Sequence, residues 1–263
     1  MNSQSLNPWL FLKSRDTEAR IRLFCFPYAG GGASLYRTWK SPTPGSFEVL
    51  PVQLPARENR INEAPFTRLE PLIAALERAL LLYVERPFAF FGHSLGGLIA
   101  FELACRLRRD HGILPVHLFV SGRSAPHIVD TDEPMHSLPD PELKRRLRTL
   151  NGTSEDVLAN DELMNLALPL LKADFAISET YSYAPREPLP CPISAFGGSH
   201  DLEVGSADLD AWRLHTSRSF RLRICPGDHF FLHANRDTLL LAIESDLESS
   251  RAKALPDARA IYD

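Results

Sequence analysis

The sequence has only four cysteines, and their spacing excludes the usual cysteine-based sites. They are scattered along the chain without a Cys-x-x-Cys pair or a cluster of histidine and cysteine ligands, so neither a metal site nor a redox motif is indicated. Two of them, Cys25 and Cys225, lie in apolar, strand-like runs. We therefore expect free thiols, with these two buried as small hydrophobic side chains, and we predict no metal and no cofactor.

Long apolar runs and an excess of basic charge are also missing. No run approaches the ~18 residues of a membrane-spanning helix. Residues 1–13 lack the basic start and the apolar stretch of a signal peptide. The 29 lysines and arginines are outnumbered by 33 acidic residues, for a net charge of -4. These absences argue against binding to nucleic acid or to an anionic membrane, and they favour a cytoplasmic protein.

What is present is the composition of an ordinary soluble protein, 44% hydrophobic and 24% charged. A chain of 263 residues is within the range of one α/β domain that carries an insertion. We expect a single domain over residues 1–250. Residues 251–263 are polar and rich in alanine, and we expect them to form a flexible C-terminal tail.

The most informative stretch runs from Phe88 to Ala104. Its first four residues form a continuous apolar run typical of a buried strand, and from Leu95 onward apolar residues recur at helical spacing. Between them, Gly92-His-Ser-Leu-Gly96 matches a nucleophile elbow, in which glycines relieve the crowding of a tight strand-to-helix turn. Ser94 is therefore the predicted nucleophile. The alternative is a glycine-rich turn with a solvated serine.

Strand-like and helix-like segments alternate along the chain, which predicts an α/β fold with a mostly parallel sheet covered by helices on both faces. Residues 123–192 interrupt this rhythm with helical runs, and we expect them to form a helical lid over the carboxyl ends of the strands. The alternative is a second helical layer. The predicted strands are 9–12, 22–26, 47–53, 88–91, 116–120, 193–196 and 220–225, and the predicted helices are 69–84, 141–150, 161–177 and 239–247.

A serine nucleophile needs a base to remove its proton, and the base needs an acid to orient it. In enzymes built on this elbow the acid and then the histidine follow the serine, each in a loop after a late strand. Asp201 and His229 follow the last two predicted strands, so we predict that they complete a catalytic triad with Ser94. Their neighbours His200 and Asp228 are the competing candidates. A metal site of His200, Asp201 and His229 is a further alternative.

The oxyanion that forms during acyl transfer needs two N–H donors. One is expected from Leu95, the residue after the nucleophile. The other is expected from the glycine-rich loop after the strand at 22–26, with Ala29 as the first choice and Gly30 as the alternative. This loop lacks the Gly-Lys-Ser/Thr ending and the Gly-x-Gly-x-x-Gly spacing of phosphate-binding loops, which argues against a nucleotide site.

Five motifs along the chain resemble those of type II thioesterases, the external editing thioesterases of polyketide and non-ribosomal peptide synthesis. The match covers roughly residues 8 to 248. The resemblance implies an α/β-hydrolase fold with a mobile helical lid and a triad of Ser94, Asp201 and His229. It also implies oxyanion donors at Ala29 and Leu95. The motifs are Phe26-Pro-Tyr-Ala-Gly-Gly31, Gln53-Leu-Pro-Ala-Arg57, Gly92-His-Ser-Leu-Gly-Gly97, Pro190-Cys-Pro-Ile-Ser-Ala-Phe-Gly-Gly198 and Gly227-Asp-His-Phe-Phe231.

The resemblance further implies a substrate, namely aberrant or stalled acyl groups held as thioesters on the phosphopantetheine arm of acyl or peptidyl carrier proteins. The family often has histidine at the position of Tyr28 and glycine at that of Asp228, and both departures leave the triad intact. Carrier proteins are usually acidic, so Lys144-Arg-Arg-Leu-Arg148 in the lid is a candidate docking patch. The alternative is the solvated face of a helix. We expect the protein to be a monomer.

Three other functions fit the same residues. A carboxylesterase would use the triad on small free esters, and a medium-chain fatty-acyl thioesterase would use it on a fatty acid synthase. A hydrolase fold that only binds partners would have no catalytic role. Such binding modules generally lose a triad member, whereas all three candidates are present in this sequence. The sequence therefore favours an enzyme.

Overall fold

The computed structural model describes residues 7–11, 18–152 and 154–254, and its centre is a sheet of six strands. The strands lie in the order β2-β1-β3-β4-β5-β6, and every neighbouring pair is parallel. The carboxyl ends of all six strands therefore lie along one edge of the sheet. The strands are β1 (Ile21–Phe26), β2 (Phe47–Pro51), β3 (Phe88–His93), β4 (His117–Ser121), β5 (Ile193–Gly198) and β6 (Phe220–Cys225).

The two central strands, β3 and β4, are buried along their whole length. A parallel strand that is covered on both faces is apolar at every position rather than at alternate ones. Phe90 packs into the apolar core on one face of the sheet, and its neighbour Phe91 packs into the core on the other face. All four cysteines are free, and Cys25 and Cys225 lie buried in β1 and β6, as predicted.

Helices cover both faces of this sheet. The helices are α1 (Leu69–Leu80), α2 (Leu95–His111), α3 (Asp140–Leu150), α4 (Glu155–Leu158), α5 (Asp161–Glu179), α6 (Ser206–Asp210) and α7 (Arg236–Ala254). The apolar sides of α1 and α2 pack with Phe90, whereas α7 packs with Phe91 on the opposite face. Within the described part of the chain, no helix combines the length and the apolar character needed to cross a lipid bilayer.

The lid, residues 123–192, lies between β4 and β5. Its described part contains α3, α4, α5 and a 3-10 helix at Met135–Ser137, and it contains no strand. These helices form an apolar cluster of their own, separate from the two clusters on the sheet faces. The lid contacts the main domain directly, because Gly152 lies against the ring of Phe230 and Leu171 lies against Gly30. Both contacts are at the carboxyl edge of the sheet.

The structure differs from the sequence predictions mainly at the ends of elements. In the predicted strand at 9–12, Leu10 makes only an isolated antiparallel bridge to Val52, and Leu12 lies outside the described residues. Helix α7 continues to Ala254, four residues past the predicted start of the C-terminal tail, and residues 255–263 lie outside the described part. Near this end of the helix, Ser250 Oγ lies 2.9 Å from Nδ1 of His117 in β4.

Candidate active site

Ser94 lies on the tight turn between β3 and α2. Its backbone is strained, with φ 52° and ψ -116°, a conformation that residues with a side chain rarely adopt. Glycines make the turn possible, since a Cβ on Gly92 would lie 2.0 Å from Gly96 O and one on Gly96 would lie 2.1 Å from Phe26 O. The Ser94 N–H donates to Ser121 O in β4 at 2.8 Å. The turn therefore holds Ser94 at the carboxyl edge of the sheet.

Asp201 and His229 follow β5 and β6, and the structure brings their side chains together. His229 Nδ1 lies 2.9 Å from Asp201 Oδ2. The side chain of Asp201 is fully buried, and its Oδ1 accepts the N–H groups of Glu203 at 2.9 Å and Val204 at 3.2 Å. Because both carboxylate oxygens are occupied, the carboxylate is held in one orientation toward the imidazole.

Ser94 and His229 line one cavity of about 360 Å³ beneath the lid. Among the described residues, the only side chain that hydrogen-bonds His229 is that of Asp201, so Nε2 remains available to accept a proton. No hydrogen bond joins Ser94 to His229 in the part of the chain that the structure describes. The hydrogen bond between a catalytic serine and its histidine is often long or absent before substrate binds and shortens during the reaction. The lid contributes the apolar wall of the cavity, and acidic side chains also line it. These lining residues include Leu147, Leu150, Leu171, Phe175, Asp130, Asp132 and Glu203.

The competing candidates His200 and Asp228 have other partners. His200 Nδ1 lies 3.0 Å from the hydroxyl of Ser199. Asp228 accepts the N–H of Phe230 at 2.9 Å with one oxygen and the side-chain amide of Asn151 at 3.0 Å with the other. Since Asn151 caps the end of α3, Asp228 connects the lid to the loop that carries His229 rather than orienting the imidazole.

The two predicted oxyanion donors also lie at the cavity. Leu95 is the first residue of α2, where a backbone N–H has no acceptor within the helix. Ala29 and Leu95 both line the cavity. The alternative donor, Gly30, already gives its N–H to Asp174 Oδ2 at 2.7 Å. This contact favours Ala29 over Gly30 as the second donor.

His93 lies against the ring of His229, with the ring centroids 5.1 Å apart. It is fully buried, its Nδ1 lies 2.9 Å from Ser121 Oγ, and its Nε2 has no hydrogen-bond partner in the described part of the chain. Burial, and then repulsion from His229 and His233, hold the pKa of His93 well below its ordinary value. A neutral His93 does not repel the positive charge that His229 acquires when it takes a proton.

Sequence reasoning assigned no role to Arg57 or Asp174, which form a buried ion pair beside the cavity. Arg57 Nη1 lies 2.8 Å from Asp174 Oδ2, and Arg57 Nη2 lies 2.9 Å from Asp174 Oδ1. Asp174 belongs to the buried stripe of α5, which also contains Met164, Leu168, Leu171, Ala173 and Ile177. A single acid among the core positions of an amphipathic helix is the signal that could have identified it.

The fold and the site define an α/β-hydrolase, with a parallel sheet between helices, a serine on the turn after β3 and a helical lid before β5. The family model for the thioesterase domain matches residues 21–247. The chain therefore belongs to the thioesterase family.

Three related proteins show the similarity in detail. The chain is 48% identical to the linear gramicidin dehydrogenase LgrE of Brevibacillus parabrevis, over 92% of this chain and 93% of that protein. It is 46% identical to the gramicidin S biosynthesis protein GrsT of Aneurinibacillus migulanus, over 88% of this chain and 90% of that protein. The solved structure of the type II thioesterase BorB from the borrelidin biosynthetic cluster superposes with a TM-score of 0.82 at 38% identity, over 91% of this chain and 97% of that one.

These comparisons confirm three of the sequence predictions. The α/β-hydrolase fold is shared with solved thioesterases. The resemblance to type II thioesterases of polyketide and non-ribosomal peptide synthesis is confirmed. The assignment to the enzymes that hydrolyse thioesters is confirmed as well.

Proposed function

We propose that this protein removes aberrant or stalled acyl groups from the phosphopantetheine arm of acyl or peptidyl carrier proteins by hydrolysing the thioester. The observation that carries the proposal is the buried Asp201 carboxylate 2.9 Å from Nδ1 of His229, whose side chain lines the same cavity as Ser94. An imidazole oriented in this way is the base that a serine hydroxyl requires. The relatives from gramicidin S and borrelidin biosynthesis support carrier-bound acyl groups as the substrates.

The chemistry follows from the positions of these groups. His229 Nε2 accepts the proton of Ser94 Oγ as the oxygen attacks the thioester carbonyl, and the N–H groups of Ala29 and Leu95 stabilise the oxyanion. The C–S bond then breaks as His229 gives that proton to the sulfur, which leaves as a thiol and restores the neutral imidazole. A thiol, with an ordinary pKa of about 8.5, is a far better leaving group than an alcohol. Water that gives a proton to His229 next attacks the acyl-serine ester. Collapse of the second oxyanion releases the free acid and returns the proton to Ser94.

One relative carries the name of a dehydrogenase, an activity that often uses a dinucleotide cofactor bound by a glycine-rich loop. A loop that binds a dinucleotide offers its N–H groups to phosphate oxygens. In this protein the negative carboxylate of Asp174 accepts the N–H of Gly30 at 2.7 Å. A phosphate at that position would meet a like charge, so the loop favours the thioesterase over the dehydrogenase.

The candidate docking patch at residues 144–148 is largely neutralised within the lid. Lys144 pairs with Asp161 at 2.8 Å, and Arg148 pairs with Glu155 at 3.0 Å. Arg145 pairs with Glu142 on the same helix. These pairs favour the solvated-face interpretation of the segment. The monomeric state and the place where a carrier protein docks remain predictions.

Ser94→Ala tests the proposed function directly. Acyl-loaded carrier protein is incubated with the wild-type protein or the variant, and intact mass reports the loss of the acyl group from the arm. We expect the wild type to restore the free thiol and Ser94→Ala to leave the acyl group in place. Ser199→Ala is the matched control, because Ser199 is exposed and contacts His200 rather than His229. Deacylation by Ser94→Ala at the wild-type rate would contradict the proposal.

The same assay separates the other hydrolases. Faster turnover of a simple aryl ester than of the loaded carrier protein would indicate a carboxylesterase. A rate that rises steeply with acyl chain length would indicate a fatty-acyl thioesterase, a function that the names of three relatives at 32–34% identity carry.

A further inference from the structure

Asp174 is a lid residue whose carboxylate is fully buried against the main domain. It lies on α5 and makes two parallel hydrogen bonds with the guanidinium of Arg57, at 2.8 Å and 2.9 Å. A buried ion pair of this kind is weak evidence for stability, because apolar residues of similar volume often stabilise a fold as well or better. The role of this ion pair is therefore inferred from the residues that it contacts and not from its contribution to stability.

The pair holds the loop that contributes the proposed oxyanion donor. Asp174 Oδ2 accepts the N–H of Gly30 at 2.7 Å, and Arg57 Nη1 donates to the carbonyl of Gly31 at 3.1 Å. These contacts fix the two residues that directly follow Ala29. A peptide group is planar, so fixing the N–H of Gly30 also fixes the carbonyl of Ala29 and limits the directions in which the Ala29 N–H can point.

Helix α5 also packs closely against this loop through Leu171. Gly30 has φ +75°, and a Cβ at this position would lie 2.7 Å from Leu171 Cδ2. Leu171 is one turn before Asp174 on α5, so one helix face supplies both the apolar contact and the carboxylate. The loop is therefore held by the lid on one side and by Arg57 on the other.

Arg57 is itself held rigidly after β2. Its Nε donates to Pro55 O at 3.0 Å, and its own carbonyl accepts the side-chain amide of Gln53 at 2.8 Å. Gln53 also accepts the N–H of Ala33 at 2.8 Å, which ties the same segment to the far end of the glycine-rich loop. A guanidinium placed by this many contacts can define the position of its partner.

We propose that Arg57 and Asp174 are positioning residues that hold residues 29–31 in the geometry required for the oxyanion hole. The proposal rests on the proposed function, because it assigns the N–H of Ala29 to the oxyanion of that reaction. It has a consequence for the lid. A displacement of α5 separates Asp174 from Gly30 and releases the donor loop, so the oxyanion hole is complete only when the lid is seated.

The test compares an apolar replacement of the pair with a conservative change. Arg57→Met combined with Asp174→Leu removes both charges together and leaves neither one buried alone. Arg57→Lys keeps a cation opposite Asp174 but loses the two-pronged contact. Lys172→Met is the matched control. Lys172 lies on α5 two residues before Asp174, and the substitution breaks its ion pair with Asp140 of α3 without changing the contacts of residues 29–31. Thermal unfolding identifies the variants that fold, and Arg57→Lys carries the test if the double variant does not.

Two kinds of measurement distinguish positioning from a structural role. The first is kcat and KM for a small acyl-thiol such as an acyl-N-acetylcysteamine, in which carrier docking plays no part. The second is the affinity for two substrate mimics. A trifluoromethyl ketone adds Ser94 Oγ to its carbonyl and forms an oxyanion while His229 takes the proton, whereas the corresponding thioether binds without forming one.

We expect the double variant to lose about 100-fold in kcat, near the loss for removing one oxyanion donor, with KM little changed. The ketone should bind more weakly by a similar factor, the thioether should bind unchanged, and Arg57→Lys should lie between the double variant and the wild type. Wild-type kcat in a folded double variant, equal losses of ketone and thioether binding, or the same loss in Lys172→Met would each overturn the proposal. Ketone affinity does not depend on turnover of a carrier protein, so this comparison stands even if the wild-type protein fails to deacylate the loaded carrier protein.

Discussion

Asp201→Asn is the substitution for which the structure makes the most specific prediction. Asp201 Oδ1 accepts two backbone N–H groups, from Glu203 and Val204, while Oδ2 faces His229 Nδ1. In the variant the amide oxygen must keep the Oδ1 position, because an NH2 group there would face two donors. The amide NH2 then points at His229 Nδ1 and donates to it. The neutral imidazole is left with its proton on Nε2, where it cannot accept the proton of Ser94.

The size of this effect follows from the chemistry rather than from the fold. The corresponding change in a serine protease triad lowers kcat by about 10⁴-fold through the same change of tautomer. That factor is about 5.5 kcal/mol of transition-state stabilisation. The shape of the side chain and its contacts with Glu203 and Val204 are retained, so the fold should persist.

The assay is hydrolysis of a small acyl-thiol followed through the released thiol, with circular dichroism as the check on folding and nitrogen NMR as the check on the imidazole tautomer. Asp228→Asn is the matched control. It changes the acid next to His229 in sequence, which contacts Asn151 and Phe230 instead. Activity of Asp201→Asn within about tenfold of the wild type, where about 10⁴-fold is expected, would refute the reasoning. An equal loss in both variants would refute it as well.

Two further predictions concern stability. Gly96→Ala places a Cβ 2.1 Å from Phe26 O, so it should lower the free energy of unfolding, measured in urea, far more than Gly112→Ala does. The Cβ of Gly112→Ala meets open space, and this substitution costs only about 1 kcal/mol because residue 112 has a left-handed backbone conformation. Burial lowers the pKa of His117 from 6.5 to about 4, so between these values the unfolded chain binds a proton that the folded chain does not, and stability falls as the pH falls. The loss at pH 5 is about 2 kcal/mol from this residue and should disappear in His117→Gln; equal losses between pH 7 and pH 5 in both proteins would contradict it.

The elbow was predictable because the causes lie within a few residues of each other. An apolar run, two glycines and a helical repeat surround Ser94, and each reports a local constraint on the backbone. The burial of β3 was likewise predictable, since a strand that is covered on both faces is apolar along its whole length rather than at alternate positions. The ends of α7 were not, because the helix runs from Arg236 to Ala254, whereas the apolar spacing in the sequence marks only residues 239–247.

The choice between two acids near His229 shows where sequence reasoning reaches its limit. Asp201 and Asp228 both stand in loops after late strands, and sequence arguments could only rank them. The structure shows Asp201 buried with its carboxylate on the imidazole, while Asp228 contacts the lid residue Asn151. Sequence reasoning was equally unable to decide whether the positive charges of the lid are free to bind a partner. Lys144 pairs with Asp161 only when α3 and α5 have packed together.

The sequence by itself determined the α/β pattern, the serine on its strained turn and the small set of residues able to serve it, because periodicity and steric crowding act over short stretches of chain. Only the tertiary structure decided which acid orients His229, which N–H beside Ala29 is already occupied, and that Arg57 and Asp174 meet. Those outcomes depend on the parallel alignment of β5 with β6 and on the seating of α5 against the glycine-rich loop. Contacts between segments that are distant in sequence, 28 residues apart for Asp201 and His229 and 117 for Arg57 and Asp174, leave no periodic pattern in either segment. They become visible only when the chain is folded.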